Sequence, residues 1–345
     1  MKAAKLFGKE DLRVVETPVP EITADEMLIK VKAATVCGTD LRMYANGAAG
    51  VSEETPLTLN HEFAGTIEKL GENVKGYEVG QRVSIAPNIG CGICDSCVSG
   101  NGHHCKELIA LGIHMDGGFA EYVRVPQKAI LNGNVTPIAD NVSFEAAAAN
   151  EAFACVYNSF ERYNVNPGDV VLIIGAGAIG MMHAELAFMA GASAVIMNDL
   201  SEERLELCKT LDPRITIASK DLKNVVDSMS DGRGADVVIT ACSVQSVQED
   251  AFNYAALNGR VNFFGGLPAG KNAVLDTNQI HYKQLFVSGT TRSNLEQYRK
   301  TLEFITKGIV DIDPLITDTY QIEDIETAFK NAASQKGLKQ AIVFN

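Results

Sequence analysis

The sequence predicts an α/β protein in which a doubly wound, parallel six-stranded sheet follows a β-rich first domain. Three observations carry this reading. The apolar run Val170-Val171-Leu172-Ile173-Ile174 breaks on Gly175-Ala176-Gly177-Ala178-Ile179-Gly180 and opens into a helix-like stretch, the pattern of a strand buried on both faces. Five more β runs follow, at 194–198, 215–218, 236–240, 260–264 and 285–288, with helical patterns at 201–210, 221–229 and 244–257 between them. Strands alternating with helices build a parallel sheet. Ahead of Ser143 the pattern differs: 28–33 and 64–70 alternate apolar and polar residues between glycines and prolines, as half-buried strands do.

Taken in order, the β-rich part leads into helices over 143–163, beginning with Phe144-Glu145-Ala146-Ala147-Ala148-Ala149. Asn166-Pro167-Gly168-Asp169 then turns into the glycine strand. In the turn itself, Gly175 allows a tight bend, Gly177 lets backbone approach a pyrophosphate, and Gly180 permits close helix-on-strand packing. The helix N-terminus behind them stabilises negative charge. The run 194–198 ends on Asp199, at the distance of an acid that binds adenosine ribose hydroxyls and repels a 2′-phosphate, so NAD is expected over NADP. Arg204 nearby weakens that preference. The candidate cofactor contacts are Gly175, Gly177, Ile179, Gly180, Asp199 and Arg204; the competing reading is a glycine turn in an α/β core with no ligand. Past Asn294 the tail reads as a helix to Lys307, a second over 322–333 and a closing strand over 340–344.

Composition narrows the function. A chain of 345 residues can form two domains and bury about three quarters of the surface its unfolded form exposes. The net charge of −13 and the pI near 5.0 argue against nucleic acid and anionic membrane as partners, leaving a small molecule as the expected one. No apolar run reaches the roughly 18 residues of a membrane span, and the opening residues lack a signal-peptide core, so a cytoplasmic protein is expected. Of eight cysteines, four cluster as Cys91, Cys94, Cys97 and Cys105. That spacing lets one loop wrap a tetrahedral zinc with every position taken by sulfur, a structural rather than catalytic site. Disulfides and an iron–sulfur cluster are the alternatives, and His103 and His104 inside the loop complicate the ligand set. A second group, Cys37-Gly38-Thr39-Asp40 with His61-Glu62, has residue types that suit a catalytic zinc, which needs only three protein ligands. By spacing alone, Cys37 and His61 read equally well as core residues.

In combination these motifs are more specific. Cys37-Gly38-Thr39-Asp40, Asn60-His61-Glu62, Gly76-Tyr77-Glu78-Val79-Gly80-Gln81-Arg82-Val83, the four-cysteine lobe and the glycine turn stand in the order shown by the zinc-dependent medium-chain dehydrogenases. The resemblance covers essentially the whole chain. With Glu151 where alcohol dehydrogenases have cysteine, it is most similar to the polyol branch, the sorbitol or L-iditol 2-dehydrogenases and their sugar-alcohol-phosphate relatives. It implies a GroES-like catalytic domain over 1–155 and 294–345, with a structural-zinc lobe at 86–115. It also implies a Rossmann NAD-binding domain over 156–293, an active site in the cleft and a homo-oligomer, tetramer or dimer. Two zinc ions per chain are implied, one structural and one catalytic. Cys37 and His61 would bind the catalytic zinc, with Glu62 or Glu151 as the further carboxylate; which one binds is open. Asp40 would orient His61, and Thr39 would bond the substrate oxygen and pass its proton towards the cofactor ribose. Tyr44, Arg292 and Arg42 are the candidate substrate residues.

Three departures from the family pattern bear on these roles. Asn60 replaces the glycine that usually precedes His-Glu, which is expected to be harmless. Ala152-Phe153 replaces Pro-Leu after Glu151, and Arg42 replaces a histidine. A guanidinium stays protonated and cannot accept a relayed proton, so proton exit would use water or Glu151; Arg42 would instead hold an anionic group or lie solvated. The expected reaction is reversible, NAD-linked oxidation of a sugar alcohol, or its phosphate, at a secondary hydroxyl to a ketone. L-Threonine 3-dehydrogenase and simple alcohol dehydrogenase are the alternatives within the enzymes. An NADH-binding sensor with structural zinc only is the alternative outside them.

Overall fold

Every residue from Val170 to Ile174 is buried: neighbouring strands pair with both of its edges, and crossover helices cover both faces of a parallel sheet. The computed structural model describes residues 1–345, and the chain divides into two units, 1–154 with 293–345 and 155–292.

In the unit 155–292, six parallel strands lie in the order Thr216–Ala218, Ala194–Asn198, Val170–Ile174, Ala235–Thr240, Ala255–Phe263 and Phe286–Gly289. Val171 pairs with Val195 on one side and Val237 on the other. The strand order reverses at Val170–Ile174, so the glycine turn that follows it opens at the switch point where ligands bind in such sheets. Leu172, Ile196, Val238, Val261 and Phe252 fill the core.

One element differs from expectation. The helical pattern over 244–257 stops at Tyr254, and residues from Ala255 onward belong to a strand. Ala255 pairs with Ala235, and regular pairing resumes at Arg260 with Val237. Asn258, in the left-handed region at φ 59°, and Gly259 occupy the irregularity between. Sheet pairing here outweighs local helical preference. A short helix, Thr277–Tyr282, was not foreseen, and residues 144–163 form one helix, Phe144–Tyr163.

The other unit is organised by Met27–Thr35. This strand pairs antiparallel with Phe63–Leu70, with Tyr122–Val125, and with Lys339–Val343 from the far end of the chain. Ile29, Val31, Phe63, Ile85, Phe119 and Phe329 are in its core. The pairings Ala341 with Thr35 and Ala34 with Phe63 set three distant segments side by side, just where Cys37 and His61-Glu62 leave the sheet.

Candidate active site

Cys37 is the N-cap of the helix Gly38–Asn46, immediately after the central strand, and His61-Glu62 immediately precede Phe63–Leu70. The Cys37 sulfur, an imidazole nitrogen of His61 and a carboxylate oxygen of Glu62 lie within 4.8 Å of one another. His61 and Glu62 are buried. Asp40, also buried, accepts the Cys37 backbone N–H at 2.9 Å, and its other oxygen lies 3.8 Å from His61 Nδ1. Burial raises the Asp40 pKa, against the opposing pull of His61 and the Cys37 N–H. At His61 burial acts to lower the pKa, yet Cys37, Asp40 and Glu151 hold it well above the ordinary histidine value. A thiol and three carboxyl groups, those of Asp40, Glu62 and Glu151, thus gather around His61.

Beneath His61, Glu62 is anchored by residues that sequence reasoning missed. Its Oε2 accepts from Lys339 Nζ at 2.6 Å and from the Thr35 hydroxyl, while its backbone carbonyl accepts the Thr35 N–H at 2.9 Å. Its Oε1 is buried with no hydrogen-bond partner. Burial lowers the Lys339 pKa, but Glu62 and Cys37 more than reverse this. A lysine inside an otherwise buried strand was the one visible signal, and nothing local named its partner. Asn60 adopts φ 86°, a conformation that costs a residue with a Cβ on the order of 1–2 kcal/mol. In return its Nδ2 donates to the Thr35 carbonyl at 2.8 Å. A Cβ on Gly112 or Gly117 would lie about 2 Å from the Asn60 carbonyl oxygen, so both glycines are needed for the close approach.

Glu151 lies buried on the helix Phe144–Tyr163. It acts electrostatically on His61, Lys339 and Tyr298 but is outside the three-residue group. Thr39 is partly buried, and its Oγ1 accepts from Arg42 Nη2 at 2.8 Å. Tyr44 is partly buried and packs its ring edge-on to Phe329, with centroids 5.7 Å apart, against the core of this unit. Arg292 belongs to the other unit, where it is exposed with φ 57° and its carbonyl accepts from Asn158.

The four lobe sulfurs also converge. Cys91 and Cys97 lie 3.9 Å apart, sulfur to sulfur, and Cys94 and Cys105 3.8 Å. A tetrahedron with metal–sulfur distances of about 2.3 Å has edges of about 3.8 Å, so the separations fit one zinc and are too long for disulfides. Backbone N–H groups of Ile93 and Cys94 push the Cys91 thiol down to about 6, and burial pushes Cys97 up. His103 is buried and stacks near His104, with ring centroids 4.0 Å apart.

In the other unit Gly175 takes φ 124°, and a Cβ on Gly180 would lie 2.0 Å from the Gly175 carbonyl oxygen. Gly177 is the N-cap of Ala178–Met189, which contains Ile179, and a Cβ there would meet Arg204 Nη2 at 3.0 Å. Asp199 accepts the backbone N–H of Ala176 at 2.7 Å and of Ser201 at 2.9 Å. The acid is thus tied to the turn.

A soft-donor group with a buried, partnerless carboxylate oxygen fits a catalytic zinc, four clustered thiols fit a structural one, and the glycine turn fits a dinucleotide. Together they define a zinc-type, nicotinamide-dependent oxidoreductase.

Comparison with known proteins places that class. Residues 23–136 match the alcohol dehydrogenase GroES-like domain and residues 178–307 the zinc-binding dehydrogenase domain. Sorbitol dehydrogenase of Bacillus subtilis (strain 168) is 32% identical, over 97% of this chain and 94% of its own. L-Threonine 3-dehydrogenase of the same strain is 33% identical, over 96% and 93%. An Escherichia coli CFT073 protein described as a short chain alcohol dehydrogenase, solved with NADH, superposes with a TM-score of 0.88 at 27% identity, over 100% of this chain and 99% of its own. The chain belongs to the zinc-dependent medium-chain dehydrogenases. It is a dehydrogenase of alcohols or polyols with zinc and a nicotinamide dinucleotide as cofactors, and none of its helices is long and apolar enough to cross a membrane.

Proposed function

We propose that the protein oxidises a secondary hydroxyl of a sugar alcohol of the sorbitol or L-iditol type to a ketone, with NAD as the hydride acceptor. The observation that carries this reading is the convergence of Cys37, His61 and Glu62 with a carboxylate oxygen left unpartnered. Cys37 and His61 would hold the catalytic zinc, with Glu62, which converges with them, as the further carboxylate. When bound, the zinc supplies Lewis acidity that eases loss of the substrate's hydroxyl proton.

The chain's own residues do the rest. Asp40, held by the Cys37 N–H, has its other oxygen 3.8 Å from His61 Nδ1 and would orient the ring by accepting that N–H once the metal is bound. Lys339 and Thr35 hold Glu62 Oε2 and thereby fix where Oε1 points. Thr39 Oγ1 takes the substrate proton as it gives up its own towards the cofactor ribose hydroxyl, from which it reaches water. Asp199, positioned by Ala176 and Ser201, receives the ribose hydroxyls and disfavours a 2′-phosphate. Arg42, Arg292 and Tyr44 are the candidate substrate contacts.

A second reading, oxidation of L-threonine, is favoured by the 33% identity to an L-threonine 3-dehydrogenase over 96% of the chain. One panel separates the two: sorbitol, 2,3-butanediol, galactitol 1-phosphate, L-threonine and 2-propanol, each with NAD or NADP, followed as reduced-cofactor absorbance alongside metal analysis. The expected result is zinc at both clusters and the highest kcat/KM with sorbitol and NAD. Preference for L-threonine transfers the site to the second reading. Binding of NADH without turnover of any alcohol by the zinc-loaded protein leaves a sensor.

A further inference from the structure

Arg42 and Thr39 are in direct contact. Both residues lie on the helix Gly38–Asn46, one turn apart, where side chains at i and i+3 meet. Arg42 Nη2 donates to Thr39 Oγ1 at 2.8 Å, and the guanidinium makes no ion pair with a carboxylate. Asn46 Nδ2 donates to the Arg42 carbonyl at 3.0 Å, tying the backbone of that turn to the end of the helix.

The donor inventory of the two groups makes this contact consequential. A threonine hydroxyl has one hydrogen and two lone pairs, whereas a guanidinium has only donors and is always charged. Arg42 therefore fills one lone pair of Thr39 Oγ1 and can never remove its proton. One acceptor position and one donor position remain. A hydroxyl left without such a partner rotates among several orientations, but one pinned on one side has a defined direction for the other two. The pin also places a permanent positive charge one hydrogen bond behind the threonine oxygen.

We infer that Arg42 is a positioning residue for alcohol oxidation: it orients the Thr39 hydroxyl towards the substrate oxygen and stabilises the negative charge that develops there. The inference rests on the proposed function, in which Thr39 touches the substrate hydroxyl. In the overall reaction the substrate's O–H hydrogen leaves as a proton through Thr39 and its C–H hydrogen leaves as hydride to NAD. Ketone, NADH and a proton result, and Arg42 ends as it began. Because the charge on oxygen appears only as the proton departs, the contribution falls on the transition state and on kcat rather than on KM.

A double-mutant cycle tests this, using the zinc-loaded enzyme and whichever alcohol of the panel is turned over fastest. Arg42→Ala is expected to lower kcat about 10- to 100-fold, the size of one lost charge-assisted hydrogen bond, with KM for the alcohol little changed. Arg42→Lys should recover part of the loss, since an ammonium also donates and is charged. Melting temperature and the NADH dissociation constant, measured by fluorescence, should match the wild type, because Arg42 is exposed. In a Thr39→Val background, Arg42→Ala should cost almost nothing further. An equal loss in that background shows Arg42 acting without Thr39 and overturns the inference. So does a raised KM at constant kcat, which marks Arg42 as a direct contact for a substrate group such as a phosphate. Thr39→Val turning over at the wild-type rate is a different outcome: it removes the proposed role of Thr39 and the inference with it.

Discussion

Two histidines in this protein are buried to a similar degree, and their surroundings make them opposites. His61 is 6% exposed and His183 is fully buried. Around His61 stand Cys37, Asp40 and Glu151, which hold its pKa well above the ordinary value despite burial. Around His183, on the helix after the glycine turn, stand the Tyr163 hydroxyl at 2.9 Å from Nδ1 and the edge of Phe264, with ring centroids 5.1 Å apart. Burial alone pushes its pKa down to about 3. The lesson is that burial does not make a histidine a metal ligand. The site histidine is marked by its acidic and thiol neighbours, and the packing histidine by neutral ones.

The sharpest way to break this comparison is to remove each ring in turn. His61→Ala should reduce turnover by on the order of 10³-fold or more, since Lewis-acid assistance is worth several kcal/mol, while NADH affinity, measured by fluorescence, stays as in wild type. His183→Phe should leave turnover at saturating substrate near wild type. If the two variants lost activity equally, the distinction drawn here would be wrong.

Acid stability is expected to separate them next. A neutral histidine whose folded pKa is about 3 stabilises the fold fully above the unfolded value near 6.5. That contribution is lost as pH falls from there towards 3, with an upper limit of about 5 kcal/mol set by the shift. Denaturant unfolding of wild type and His183→Phe between pH 7 and pH 4 should show a steeper loss in the wild type. Parallel curves would mean that His183 is protonated, or exposed, in the folded protein.

Removing the cation under His61 probes the anionic side of the contrast. Lys339→Met leaves the Glu62 carboxylate buried beside Thr35 with its ion pair gone. Breaking a buried pair in this way typically costs about 3–5 kcal/mol, readable as a shifted denaturation midpoint. The double variant Lys339→Met/Glu62→Gln should recover much of that stability without recovering activity. Recovery of full activity would show that Glu62 is dispensable.

Asn60→Gly is expected to have the smallest effect. Glycine relieves the left-handed backbone at φ 86° and loses the bond to the Thr35 carbonyl. These oppose each other at about 1 kcal/mol each, so stability should stay close to wild type. A loss as large as that of Lys339→Met would make the Asn60–Thr35 bond a principal support of the site.

How far each part could be read in advance follows from where its partners lie along the chain. The glycine turn, Asp199 and the six β runs are written within continuous stretches, because a dinucleotide turn needs glycine at set offsets and buried parallel strands need unbroken apolar runs. The four lobe cysteines lie within fifteen residues, so their spacing alone indicates a shared metal. The resemblance that joined Cys37 to His61 depended on the order of motifs, since the intervals between those residues carry no such information.

What the sequence by itself determined is therefore the class of the fold, the dinucleotide turn and the clustered thiols, each set by short-range periodicity or spacing. Only the tertiary structure decided that Ala255 joins a strand rather than prolonging a helix, and that Lys339 and Thr35 hold Glu62. It likewise decided that Glu62 lies within 4.8 Å of both Cys37 and His61, and that His183 has only neutral partners. These outcomes depend on pairings between segments as far apart as Thr35 and Ala341. Burial energy and hydrogen-bond satisfaction select such pairings over the whole chain, and no local window of residue types records the choice.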